Sequence, residues 1–283
     1  MNLMNAKHII VILFIVCLQG CSSKFAYNNA DWLSNWYIDD YLDLNTDQNR
    51  ILKKELSSVL EWHRDTQLSE YKILLLELSN DLNILPITQE KWLLHFNTVI
   101  NHWHHVRKEI SLRSAKLAPL LNEQQVDYLF KKLHQKNQRK LNDFNEQSLE
   151  EYRATKFENM KEAIEDKLGS ISAQQQEYAL EFTANAAITE QEWFDSKVDL
   201  QKAMKDAFKN NNSEAMTAQL YELMINPDQF KSKSLLDAYA INRELLVNML
   251  HKISGSLSAE QVIHFKNEID ELVQLIDSIT VKN

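Results

Sequence analysis

Apolar side chains return along most of this chain every three or four residues. Trp92, Phe96, Val99, Trp103, Val106 and Ile110 fall on one stripe, and Leu52, Leu56, Val59 and His63 on another, with polar residues between them. That period is the mark of amphipathic helices burying one face, and no run alternates as a half-buried strand does. The helix starts repeat one chemistry. Four read apolar, Asn or Ser, two residues, Gln: Leu44-Asn45 with Gln48, Leu121-Asn122 with Gln125, Ile171-Ser172 with Gln175, and Leu257-Ser258 with Gln261. Two more read Ile87-Thr88 and Ile188-Thr189, each followed four residues on by a tryptophan, Trp92 and Trp193. In a capping box the Asn, Ser or Thr side chain accepts from the third helical N–H, and a Gln or Glu there reaches back to the cap; only Lys91 departs from this pattern.

The stops agree with the starts. Pro86 and Pro119 precede two starts, Gly169 and Gly255 stand where left-handed C-caps are expected, and Pro227 opens a helix at its first turn, after Asn226. Between Asn122 and Leu168 there is neither Pro nor Gly, so one helix of about 70 Å is expected there, with a polar middle from Gln135 to Gln147 that is exposed or bent. The order Asn, Thr, Asn and then Ser, Thr, Ser fits two related halves meeting near Gly169; the unequal intervals fit helices that merely share a capping chemistry. The fold class expected is all-α, an elongated bundle of long helices. The whole chain of 283 residues has three Gly and three Pro, far too few for a turn-rich sheet protein or a Gly-rich phosphate loop.

The first 20 residues stand apart. Lys7 and His8 precede ten apolar residues, Ile9 to Leu18, and then Gln19, Gly20 and Cys21. Ten helical residues rise about 15 Å, half of a bilayer's hydrocarbon, which suits a signal peptide and not a membrane span. Leu18-Gln19-Gly20-Cys21 resembles the lipobox of bacterial lipoproteins, which implies cleavage between Gly20 and Cys21, acylation of Cys21, and, with Ser22 rather than Asp next, delivery to the outer membrane facing the periplasm. The organisation expected is a signal peptide over 1–20, a lipidated tether over 21–29 and one helical body over 30–283. Cys17 then leaves with the signal and Cys21 carries lipid, so no thiol remains for a disulfide, a nucleophile or a metal. After residue 20, 30 basic residues face 40 acidic ones, a balance of −10 that argues against nucleic acid and against an electrostatic grip on anionic lipid. The membrane partner is thus reached through acyl chains.

The segment after the tether is the densest in chemistry: Tyr27, Asn28, Asn29, Asp31, Trp32, Trp36, Asp39, Asp40 and Tyr41. Trp32 and Trp36 share a helix face, with Asp39 and Asp40 a turn beyond. This run is the candidate surface for an unknown protein partner, against the readings that its aromatics pack on the body or lie in the membrane interface. The run Ala26-Tyr27-Asn28-Asn29-Ala30-Asp31-Trp32, with Trp36, Asp39-Asp40-Tyr41, Asp43-Leu44 and Trp62-His63-Arg64, resembles a family of uncharacterised lipoproteins of Gram-negative bacteria, a domain of unknown function. That resemblance implies a periplasm-facing helical lipoprotein and no established activity. The four Gln boxes are also similar to the Leu-Thr-x-x-Gln motifs of small Spy/CpxP-type periplasmic chaperones.

Histidines gather at His95, His102, His104 and His105. His95, His102 and His105 form a weak metal candidate, set against a solvated or half-buried histidine face, and no cofactor is implied. His63, between Trp62 and Arg64, suits a polar contact in the core. No Gly-x-Ser-x-Gly, His-Glu-x-x-His or P-loop is present, and the scattered carboxylates do not read as an acid and base pair. The expectation is a non-enzymatic binding or structural lipoprotein; a chaperone or envelope-stress module is the alternative, and an enzyme without a recognisable motif comes third.

Overall fold

The computed structural model describes Tyr27, Ile38 and residues 40–280. Residues 40–280 form ten α-helices and two short 3-10 helices, with no strand. The α-helices are α1 (Thr46–Thr66), α2 (Leu68–Asp81), α3 (Gln89–Leu117), α4 (Glu123–Asn145), α5 (Leu149–Leu168), α6 (Ala173–Asn185), α7 (Glu190–Ala207), α8 (Ser213–Ile225), α9 (Lys233–Gly255) and α10 (Ala259–Thr280). The 3-10 helices are η1 (Ala118–Leu120) and η2 (Pro227–Phe230). The architecture is an all-α bundle.

The 29-residue α3, about 44 Å long, joins two packing centres. Its first half lies against α9 and α2, where Trp92 and Phe96 meet a core of Leu78, Leu82, Ile87, Ile164, Leu246, Ile253 and Ile269. Its last turns lie against α8, where Ala115 and Ala118 pack with Ala207 and Leu220. Small residues let these backbones approach closely. Helix α10 runs along α2 and α5, α6 sits against α5 and α9, and α7 covers α4, α8 and η2.

All four Gln boxes form. Gln48 and Gln125 each accept from their own cap N–H, at 3.0 Å in both cases. The amides then exchange hydrogen bonds, Gln48 Nε2 donating to Gln125 Oε1 at 3.0 Å and Gln125 Nε2 to Gln48 Oε1 at 2.8 Å. The second proton of each amide goes to the carbonyl two residues before the other's cap, Leu120 and Asp43. Gln175 and Gln261 repeat the arrangement with reciprocal bonds of 3.0 and 2.9 Å and outer bonds to the Ser256 and Ser170 carbonyls. Every donor and two acceptor sites on each amide are thereby filled. We call each such pair a clasp. The clasps tie α1 to α4 and α6 to α10, so each joins two helix starts on the same side of Gly169.

Several expectations need correction. The helix expected from Asn122 to Leu168 is two, broken at residues 146–148, because Ser148 and Glu151 form a capping box of their own that starts α5. Thr189 precedes α7 without a side-chain cap bond; its N–H instead donates to Glu190 Oε2 at 3.0 Å. Gly169 has the left-handed φ of 72° expected of it. Gly255 does not, and is the last residue of α9, where a Cβ would come 3.3 Å from Pro86. Close approach, not turn geometry, is its reason.

Candidate functional site

Of the aromatic segment, Tyr27, Asp40 and Tyr41 lie among the described residues; Asn28, Asn29, Asp31, Trp32, Trp36 and Asp39 lie outside them, as do Gly20 and Cys21. Tyr27 is half-buried beside the cluster of Leu68, Ile276 and Ile279. Its hydroxyl meets His63 Nδ1 at 2.9 Å, and His63 Nε2 meets the Tyr71 hydroxyl at 3.2 Å. Burial lowers His63 to about 4, so the ring is neutral at pH 7. A neutral imidazole has one donor and one acceptor, so one tyrosine donates to it and the other accepts. Burial likewise raises both phenols to about 12. Tyr41 is buried, with its hydroxyl accepting from Lys136 Nζ at 2.6 Å, and exposed Asp40 pairs with Lys132 at 3.1 Å. Both lysines lie on α4. The described tyrosines of this segment are therefore turned onto the body.

The histidines go to separate neighbours. His95 is buried, its Nε2 donating to Asp81 Oδ2 at 3.0 Å. Burial alone would raise the Asp81 carboxyl, but hydrogen bonds from Lys91 and His95 outweigh it and hold it below its ordinary value. His102 turns its ring to the edge of Tyr71, 5.1 Å between centroids, while His105 is exposed. Among the described residues no group of three or more His, Cys, Asp or Glu is arranged to hold a metal ion.

A feature with no motif in the sequence lies where α2, α3, α5, α9 and α10 meet. It is an apolar cavity of about 100 Å³. Leu74, Leu78, Phe96, Ile164, Leu246, Leu250, Phe265 and Ile269 supply much of its wall. Trp92 and His95 border it on α3, Lys167 and Glu268 where α5 and α10 face each other. Lys167 is buried and pairs with Asp166 at 2.6 Å and with Glu268 at 3.4 Å. Ser254, also on the wall, is saturated, taking the Ile87 N–H at 3.1 Å and donating to the His251 carbonyl at 2.8 Å. Trp92 Nε1 and His95 Nδ1 are buried without a hydrogen-bond partner. A void of this size costs about 2 kcal/mol in lost contacts, at roughly 24 cal/mol per Å³. Its wall comes from five helices far apart in the chain, which is why periodicity alone did not locate it.

No curated protein and no solved structure matches the chain. The model of DUF6279, a family of unknown function, matches residues 40–235, from the residue before buried Tyr41 to the first turn of α9 and more than two thirds of the sequence, and the chain belongs to that family.

Proposed function

We propose that this chain is a lipid-anchored binding protein of the outer membrane, facing the periplasm, whose helical body takes a small apolar molecule or the apolar end of a larger one. The cavity carries this reading. A dry apolar void of comparable size in another protein takes up benzene, and filling such a space recovers contacts that the wall otherwise lacks. The wall's carboxylate, Glu268, is already held by Lys167, which favours binding over acid-base chemistry.

The anchor reading rests on the sequence from Lys7 to Cys21. Tyr27 stands six positions beyond Cys21, a reach of about 20 Å when extended. An acylated Cys21 would therefore hold the α1–α2 junction, where Tyr27 docks, close to the bilayer. Replacing Cys21 by Ser should release the protein from membranes as an uncut precursor; outer-membrane fractionation unchanged by Cys21→Ser would put the anchor elsewhere.

The cavity is tested on the full-length chain in a neutral detergent by thermal melting with benzene. The midpoint should rise with benzene concentration, and Leu246→Phe, which extends a ring into the void, should remove the rise while keeping the helical circular dichroism. A folded protein whose midpoint ignores benzene would end this reading.

A further inference from the structure

Five residues in the wall of the apolar cavity carry a side-chain nitrogen or oxygen: Trp92, His95, Lys167, Ser254 and Glu268. Three of them are engaged. Lys167 holds Asp166 and Glu268, and Ser254 takes the Ile87 N–H and donates to the His251 carbonyl. Trp92 Nε1 and His95 Nδ1 differ, being closed off from solvent and, among the described residues, without a partner. These two side chains are neighbours. They follow each other by one turn of α3, and their ring centres lie 6.1 Å apart with the planes at 69°.

The His95 side chain, only 5% exposed, is fixed from its other edge. Its Nε2 meets Asp81 Oδ2 at 3.0 Å, and an ionised carboxylate only accepts, so Nε2 donates. Nδ1 then accepts in the neutral ring and donates in the protonated one, while Trp92 Nε1 donates in either case. A buried polar atom without a partner is costly, and here two stand one turn apart in a wall that is otherwise apolar or engaged. A single water bridging them would have two partners, the fewest that hold a buried water, and would leave much of the apolar wall without contacts.

Resting on the reading of the cavity as a binding site, we propose that its occupant carries one hydroxyl group on a compact apolar frame, as a phenol or a small alcohol does, with the oxygen between Trp92 Nε1 and His95 Nδ1. A hydroxyl answers both states of His95. With the ring neutral it accepts from Trp92 and donates to Nδ1; with the ring protonated its two lone pairs accept from both. A carbonyl oxygen can satisfy both atoms only when the ring is protonated, and a hydrocarbon fills the void but leaves both as they are. A carboxylate would bring a charge to a wall whose one lysine, Lys167, already holds Asp166 and Glu268.

The test compares phenol with toluene, which has nearly the same shape and a methyl group in place of the hydroxyl. The full-length chain in a neutral detergent is melted at equal free concentrations of each. Both should raise the midpoint, whereas a cavity without polar partners would take toluene and reject phenol, because the hydroxyl would be buried unpaired. Trp92→Phe should weaken apparent phenol affinity relative to toluene about tenfold or more, the effect of stranding one side of a buried hydroxyl. His95→Leu, which removes Nδ1 and leaves Asp81 its bond to Lys91, should act in the same direction and gives the second measure should Trp92→Phe fail to fold. Leu246→Phe, by filling the void, should remove both shifts. Toluene raising the midpoint with phenol inert would overturn the hydroxyl and keep the cavity as a binding site; neither ligand acting would overturn both. A phenol shift that survives in Leu246→Phe, or that keeps its ratio to toluene in both polar variants, would likewise overturn the hydroxyl site.

Discussion

The two clasps have the same bonds and different surroundings. In the clasp of α1 and α4, Gln48 and Gln125 are 9% and 7% exposed and the caps are Asn; in that of α6 and α10, Gln175 and Gln261 are 0% and 5% exposed and the caps are Ser. A third kind of box, Ser148 with Glu151, stands exposed and unpaired on the surface. What separates them is the second role of the amide. A glutamate serves the cap alone, whereas a glutamine also has two protons to give, and only a glutamine can answer a facing glutamine. Burial then sets the cost of losing it, and the first clasp lies slightly nearer the surface than the second, where Gln175 is wholly enclosed.

The largest effect should come from breaking the buried clasp. Gln175→Leu leaves the Ser172 N–H and the Ser256 carbonyl without their partner and strips Gln261 of two bonds, a loss of about 3 kcal/mol at roughly 1–3 per stranded group. Gln48→Leu breaks the matching bonds slightly nearer the surface and should cost less. Urea unfolding of the two variants should rank them in that order, and equal losses would mean that burial does not distinguish the clasps.

Next in size is a contrast with pH. The clasps are neutral amides, while the joint under Tyr27 contains His63, whose folded value of about 4 lies below the ordinary 6.5. Between those values the unfolded chain binds the proton and the folded one does not. The contribution is therefore complete above about pH 6.5 and is lost as pH falls toward 4, by roughly 2–3 kcal/mol. Melting His63→Phe and wild type across this window should show a shallower acid loss in the variant; parallel curves would remove His63 as a cause.

Cap variants should follow. Asn122→Ala and Ser258→Ala each take an acceptor from a helix start at about 1 kcal/mol. Each also loosens the backbone that its clasp Gln holds, so the Ser258 variant should fall slightly further. Smallest is Glu151→Gln at the exposed box, expected within about 0.5 kcal/mol, against a clear loss for Gln125→Glu, which brings a carboxylate to the Gln48 carbonyl oxygen. A neutral Gln125→Glu would show that the amide protons contribute nothing.

How much of this was legible differs from residue to residue. The starts at Asn45, Asn122, Ser172 and Ser258 could be read because a cap is made by residues three apart. Their pairing could not, because nothing in the spacing says that Gln48 meets Gln125 across 77 positions. Ser148 was hidden inside a stretch lacking Pro and Gly, although its Ser-x-x-Glu spacing was there to be seen. The aromatic run was visible as a cluster, yet the docking of Tyr27 on His63 and Tyr71 depends on where the α1–α2 junction falls. The burial of Lys197 gave no signal at all, since it depends on how α4, α8 and η2 pack against α7.

The sequence by itself determined the helical class and most helix ends, because those follow from contacts within a turn or two of chain and from composition. Tertiary structure alone decided which glutamines interlock, which small residues let α3 and α8 close up, where the cavity opens and which charged side chains are buried. Those outcomes depend on the separation and dielectric between helices distant in sequence, and a local pattern carries neither quantity.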